Sequence, residues 1–248
     1  MRAASILWLR QLKRYSRSRA RMIGSLGQPL LFLTALGFGF GPTFARAGAG
    51  NYLEFLAPGV IVMGILFTAV FSGIEVIWDR QFGFLRETLV APVSRLEIVL
   101  GRTLGAATVA LIQGVAVFAI CLMVGFRVSS PLLLPLAFLF MFLIAVAFTA
   151  IGTAIGSVLH DMQGFPLIMN FIVLPLFFFS NALYPIAGLP APLRIAVRLN
   201  PLTYAVDGVR SAFGHASQFG VLTDLAVLGG LVAVLLALGS YLFSRIEL

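Results

Sequence analysis

Six apolar runs occupy most of this 248-residue chain, near 23–42, 53–77, 103–126, 131–158, 165–184 and 221–243. Nothing else in the sequence restricts its fold so strongly. A helix of about 20 apolar residues matches the hydrocarbon thickness of a bilayer. No water is available there, so each backbone polar group must be satisfied within its own segment. The runs therefore predict an all-α polytopic membrane protein with six transmembrane helices. Composition agrees: 60% of residues are hydrophobic and 10% charged, with a mean hydropathy of +1.04. Such values exclude a water-soluble domain. No linker, low-complexity tract or internal repeat interrupts the pattern, so residues 1–248 read as a single transmembrane domain.

A net charge of +8 could indicate a nucleic-acid partner, but the placement of the cations argues against one. An even number of spans puts both termini on one side. That side carries Arg2, Arg10, Lys13, Arg14, Arg17, Arg19 and Arg21, then Arg80, Arg86, Arg95, Arg102 and Arg245. The other side has Arg46, Arg127, Arg194, Arg198 and Arg210, so twelve basic residues face five. The richer side is expected to be cytoplasmic, which gives a multi-pass protein of the cytoplasmic (inner) membrane. Residues 1–22 are too long and too rich in arginine for a cleaved signal. On a helical wheel Trp8, Leu9, Leu12 and Tyr15 share one arc, while Arg10, Lys13, Arg14, Arg17 and Arg21 share another. This fits an amphipathic interfacial helix with its cations towards anionic membrane lipids; a purely topogenic basic tail is the alternative. The lone cysteine, Cys121, offers neither a disulfide framework nor a metal cluster, and no bound metal is expected.

One stretch breaks the apolar pattern with dense charge: DRQFGFLRETLVAPVSRLEIVLGR, residues 79–102, between the second and third spans. Phe82, Leu85 and Leu89 recur at helical spacing beside Arg86 and Glu87. Pro92 disfavours helix at Ala91. Ser94 and Glu97 fit a capping box that opens the next helix. A solvated loop has no need of Phe82, Phe84, Leu85 and Leu89. These side chains suit either docking onto a partner protein or anchoring at the bilayer surface.

This stretch resembles the cytoplasmic segment of ABC-2-type permeases, the membrane subunits of ABC exporters of the daunorubicin-resistance and nodulation-factor type. FFFSNALYPIAGLP (177–190) and LNPLTYAVDGVR (199–210) are similar to later segments of the same family, in the same order. The resemblance implies that 79–102 holds a cytoplasmic coupling helix, with Phe82, Phe84, Leu85, Arg86, Glu87 and Leu89 contacting a separate ATPase. It further implies two ATPase subunits carrying ATP and Mg, and a second permease, identical or related. No cofactor is then bound by this chain, and an amphiphilic, lipid-, glycan- or drug-like substrate moves outward.

Polar residues within the spans are costly and mark function or pairing. Thr68, Ser72, Glu75 and Asp79 fall at offsets 0, 4, 7 and 11, one helix face. They suit either a substrate path or interface carboxylates paired with Arg80 or Arg102. Asp161 suits a cap for the fifth span. That span holds Asn170, then Pro175 as a kink, then Phe177, Phe178, Phe179, Ser180 and Asn181, which fits a substrate path or gate, or lipid-facing phenylalanines. Gly101 with Gly105, and Gly152 with Gly156, allow close helix approach. Residues 185–220 are too polar to span. Pro192 and the pair Asn200-Pro201 predict two short helices, read as a re-entrant pair on the outer face or a folded surface loop. Of their charges, Asp207 is expected to pair with Arg210 or, across the hairpin, with Arg194 or Arg198; alternatively Arg194 and Arg198 contact lipid phosphates or an acidic substrate headgroup.

Rival functions lack their residues. The single lysine, Lys13, stands in no P-loop, so the chain is not itself an ATPase. His160 and His215 fall on opposite sides, and Asp79, Asp161, Asp207 and Asp224 are scattered, which disfavours an intramembrane enzyme. A secondary transporter, or a membrane scaffold without ATP coupling, remains as the alternative, although no repeat or paired midplane acids are present.

Overall fold

A computed structural model describes residues 2–46, 51–84, 94–186 and 188–244. Among these residues the structure is helical, without strands. The helices are α1 (Arg2–Arg17), α2 (Arg19–Arg46), α3 (Tyr52–Phe71), α4 (Ile74–Gln81), α5 (Arg95–Val124), α6 (Leu134–Val158), α7 (Gly164–Phe178), α8 (Ala191–Leu199), α9 (Pro201–Ala212) and α10 (Val221–Ser244). Five segments are long and apolar enough to cross a membrane: Arg19–Phe44, Tyr52–Gln81, Arg95–Val124, Pro131–Val158 and Val221–Gly239. The fifth expected span is a shorter apolar helix of 15 residues, α7. It stops at Phe178 rather than at residue 184. Pro175 withdraws a backbone donor from its last turn. The last carbonyls, which the end of the helix leaves without intrahelical donors, are taken by side chains: Leu176 by Asn200 Nδ2 (2.6 Å), Phe177 by Ser180 Oγ (2.7 Å) and Phe178 by the Tyr184 hydroxyl (2.5 Å).

Local signals explain most other boundaries. Asn51 caps α3 by accepting from the Leu53 amide (3.0 Å). Ser94 caps α5 by accepting from the Glu97 amide (3.2 Å). Asp161 accepts from the amides of Gln163 and Gly164, both at 2.9 Å, and opens α7. Asn200 ends α8 and caps α9 through the Leu202 amide (3.0 Å). Each places a side-chain acceptor on an otherwise orphaned amide.

Helix α3 is the hub. It is buried along most of its length and packs against α2, α5, α6, α7 and α9. Helices α2 and α10 lie at the periphery and bury few of their residues. The expected second span, 53–77, is not one continuous helix: Ser72 and Gly73 separate α3 from α4. Gly73 crosses α6 where a Cβ would lie 2.0 Å from the Gly152 carbonyl oxygen, and a Cβ on Gly156 would lie 2.3 Å from that of Gly73. Two backbones in direct contact leave room only for glycine. The second expected pair, Gly101 and Gly105, receives α1: added Cβ atoms would meet the Ala4 backbone at 2.7 Å and Gln11 at 2.8 Å.

Candidate functional site: a buried ionic cluster below the charged segment

Helix α4 leads directly into the 79–102 stretch and carries Glu75 and Asp79 one turn apart, each 5% exposed. Burying carboxylates is costly unless cations accompany them. Arg102 of α5, itself 3% exposed, lies 2.8 Å from Asp79, and Arg10 of α1 lies 2.9 Å from it. Arg21 of α2 holds Glu75 at 2.6 Å, with Arg14 farther off at 3.8 Å. Four helices thus converge on two carboxylates. Arg80 does not join them; it donates to the Ser157 and Leu159 carbonyls at the end of α6, where a cation suits the helix C-terminus. The expectation of a partner for the acids was therefore right for Arg102 and wrong for Arg80.

The three arginines from the N-terminal helices were missed, although a signal was present. Arg10 and Arg14 share the four-residue spacing of Glu75 and Asp79, so two antiparallel helix faces match charge for charge. Helix α1 is held against α5. Its Tyr15 hydroxyl donates to Gln113 Oε1 (2.8 Å), and Trp8 Nε1 donates to Thr108 Oγ1 (3.0 Å), both on α5. Burial raises the Tyr15 phenol, which keeps it a donor.

Of the coupling candidates, Leu85, Arg86, Glu87 and Leu89 lie outside the described residues. Phe82 is 76% exposed and packs edge-on to Trp78. The Arg10 guanidinium sits 3.6 Å from the Phe84 ring centroid, a cation–π contact that joins α1 to the edge of the charged segment.

The candidates for a substrate path separate into two groups. Thr68 lines a crevice of about 200 Å³ with Tyr15, Arg21 and Phe71. Ser72 spends its hydroxyl on the Ala69 carbonyl (2.6 Å), and Glu75 is in the ionic cluster. Ser180 and Asn181 are fully buried at the other end of α3, where Ala182 abuts Gly59. Thirteen residues of helical rise, about 20 Å, separate Gly59 from Ser72. Phe177 is a core residue edge-on to Phe32, whereas Phe178 is 45% exposed and Phe179 43%. Asn170 is half-buried on α7.

The outer charges do not pair as expected. Among the described residues no ion pair joins Asp207 to Arg210, Arg194 or Arg198. Asp207 is fully buried and accepts from Ser217 Oγ (2.8 Å) and the amides of Gln218 (2.8 Å) and Phe219 (3.0 Å). Backbone amides that precede α10 satisfy the carboxylate in place of arginine. Arg210 donates to the carbonyls of Asn181 (2.9 Å) and Phe55 (3.2 Å) and lies over the Phe55 ring. Burial pushes its guanidinium down to about 10, with Asp207 pulling the other way, so it stays cationic at neutral pH. Arg194 and Arg198 are exposed on α8. Asp207→Asn would set an amide donor against donors and is expected to cost about 1–3 kcal/mol of stability. The exchange of Asp207→Arg with Arg210→Asp should recover none of it. Thermal unfolding of the purified variants measures both.

Residues 2–213 match the ABC-2 type transporter family. The chain is 30% identical over 203 residues to a putative transport permease, ycf38, of Cyanophora paradoxa, covering 79% of this chain and 69% of that protein. It is 29% identical over 199 residues to nodulation protein J of Rhizobium leguminosarum bv. trifolii, covering 79% and 75%. It is 27% identical over 232 residues to the inner membrane transport permease YadH of Escherichia coli K12, covering 91% and 88%. Helical among its described residues, with five segments there long and apolar enough to cross a membrane, and matched over most of its length, this chain is a polytopic transport permease of the ABC-2 type transporter family.

Proposed function

We propose that this chain is the transmembrane subunit of an ABC exporter, driven by a separate ATPase subunit that binds ATP and Mg. Two such ATPases would serve two permeases, identical or related, and an amphiphilic, lipid-, glycan- or drug-like substrate would move outward. The observation that carries this reading is the ionic cluster. It ties α4, and with it the start of the 79–102 stretch, to α1, α2 and α5. A displacement imposed on that stretch by a partner would reach α5 through the buried Asp79–Arg102 pair, which does not separate cheaply, and α1 and α2 through the part-exposed Arg10 and Arg21. The apolar face of α2, with Leu31 67% and Phe38 73% exposed, suits cover by lipid or by the second permease. The fifth of the six spans is α7 with the turn that follows it, and α8 and α9 form the re-entrant pair.

The proposed orientation places both termini and residues 79–102 in the cytoplasm of the inner membrane, where ATP is available. Buried Cys121 is replaced first, and single cysteines are then introduced at exposed Ser94 and Ala191. In intact cells an impermeant thiol reagent should label Ala191→Cys and leave Ser94→Cys unlabelled until the membrane is opened. Labelling of Ser94→Cys from outside would overturn the proposal, because no ATPase could then reach the loop.

A further inference from the structure

We propose that the polar face of α1 is a binding site for the phosphate headgroup of an anionic phospholipid. A cavity of about 580 Å³ opens there, lined by Arg10, Lys13, Arg14 and Arg17, by Ile6 and Leu9, and by Asp79. The one anion in this lining is already neutralised by Arg10 at 2.9 Å and Arg102 at 2.8 Å. Arg14 is only loosely engaged, 3.8 Å from a Glu75 that Arg21 holds at 2.6 Å. The side chains of Lys13 and Arg17 have no ion pair or hydrogen bond among the described residues. Four residues apart, they share a helix face, where like charges repel. An anion bound between them removes that repulsion.

The surroundings select a lipid over a soluble anion or an acidic protein surface. Ile6 is 67% exposed and Leu9 44%, so apolar side chains stand beside the cations. This is the arrangement of an interfacial helix with its apolar residues at the acyl boundary and its cations at the phosphates. The groove is also held in shape before any ligand arrives. Trp8 and Tyr15 are bonded to α5, and α1 rests on Gly101 and Gly105. Little ordering is left to oppose binding. The orientation proposed above decides only which leaflet supplies the lipid.

Of the protein's two tryptophans, Trp78 adjoins the groove, with the Arg14 guanidinium 5.6 Å from its ring, whereas Trp8 is turned to Thr108 of α5 and is replaced by phenylalanine so that Trp78 is the one reporter. The full chain is reconstituted in phosphatidylcholine vesicles doped with brominated phosphatidylglycerol or, at equal mole fraction, brominated phosphatidylcholine. Tryptophan quenching then reports which lipid occupies the groove. The expected result is several-fold preference for phosphatidylglycerol, unaffected by added inorganic phosphate. In Lys13→Gln/Arg17→Gln the relative affinity should fall about tenfold or more, while Lys13→Arg/Arg17→Lys keeps the preference. Equal quenching by both lipids in the parent would overturn the proposal, as would a preference that survives the glutamine variant. Competition by inorganic phosphate would reassign the groove to a soluble anion. Absence of preference together with loss of a bound ATPase in the glutamine variant would reassign it to a protein surface.

Discussion

Asp79→Ala is expected to be among the most damaging single substitutions in the chain, through Arg102 rather than through the missing carboxylate. Arg102 is 3% exposed and lies 2.8 Å from Asp79. Removing the acid leaves a buried guanidinium without its nearest counter-charge, a situation that typically costs about 3–5 kcal/mol. Arg10 also loses its partner, but its side chain is 31% exposed and can turn to water. For a chain of this size the loss corresponds to a fall in unfolding temperature on the order of 10 °C. Replacing both members with apolar residues, Asp79→Leu with Arg102→Met, should recover most of the stability, because a buried ion pair is about as stable as an apolar pair of similar volume. Transport should not recover with it, since α4 would then lose the Asp79 ion pairs that tie it to α1 and α5. Thermal unfolding of the purified single and double variants measures this directly. A melting temperature for Asp79→Ala indistinguishable from the parent would remove the cluster from the account.

Gly152→Ala carries the second large effect. Its Cβ would lie 2.2 Å from the Val70 carbonyl oxygen and 2.9 Å from the carbonyl carbon, both backbone atoms that no side-chain rotation can move aside. Gly73→Ala meets Gly152 at 2.0 Å in the same way. Overpacking of an ordinary core costs about 1–3 kcal/mol; a backbone-to-backbone crossing has less room to relax, and more is expected here. Either variant should abolish the monodisperse peak in detergent size-exclusion chromatography. Gly27→Ala and Gly229→Ala, where nothing lies within 4 Å, are the controls. They should be neutral or slightly stabilising, since alanine exceeds glycine in helix propensity by up to about 1 kcal/mol. A normal peak for Gly152→Ala would show that α3 and α6 do not cross so closely.

The sequence was most legible where one short signal governs one local geometry. Ser94, Asp161 and Asn200 each cap the helix they precede, because a cap needs only a side chain and the next three amides. Helix α1 followed from its two arcs, and both glycine pairs marked close crossings. Their partners were not legible: nothing within residues 95–124 says that Gly101 and Gly105 receive α1. The break at Ser72 and Gly73 was hidden for the same reason, since hydropathy runs through it unchanged and the cause lies on α6. Charge pairing failed most clearly at Asp207. Counting ionisable partners favoured Arg210, whereas the structure supplies backbone amides near Gln218, and amides carry no sequence signature. The acids of α4 show the opposite case, where the matched spacing of Arg10 and Arg14 would have found the partner. The path residues Thr68 and Asn181 fall at opposite ends of α3, a separation that one-dimensional polarity does not reveal.

Under the function proposed above, this permease works through a separate ATPase held at residues 79–102. The most direct measurement of this is purification of the tagged chain from its native membranes in mild detergent. Co-purifying polypeptides are then identified, and ATP hydrolysis is assayed, for the parent and for Phe84→Ala/Arg86→Ala. A P-loop polypeptide is expected to be retained in stoichiometric amount with the parent, together with ATP hydrolysis. Both should fall about tenfold or more in the double variant, as expected for aromatic and arginine anchors at an interface, while the permease keeps its monodisperse peak. A parent permease isolated alone, without a P-loop partner or ATP hydrolysis, would contradict the account. So would a double variant that retains both at the parent's level.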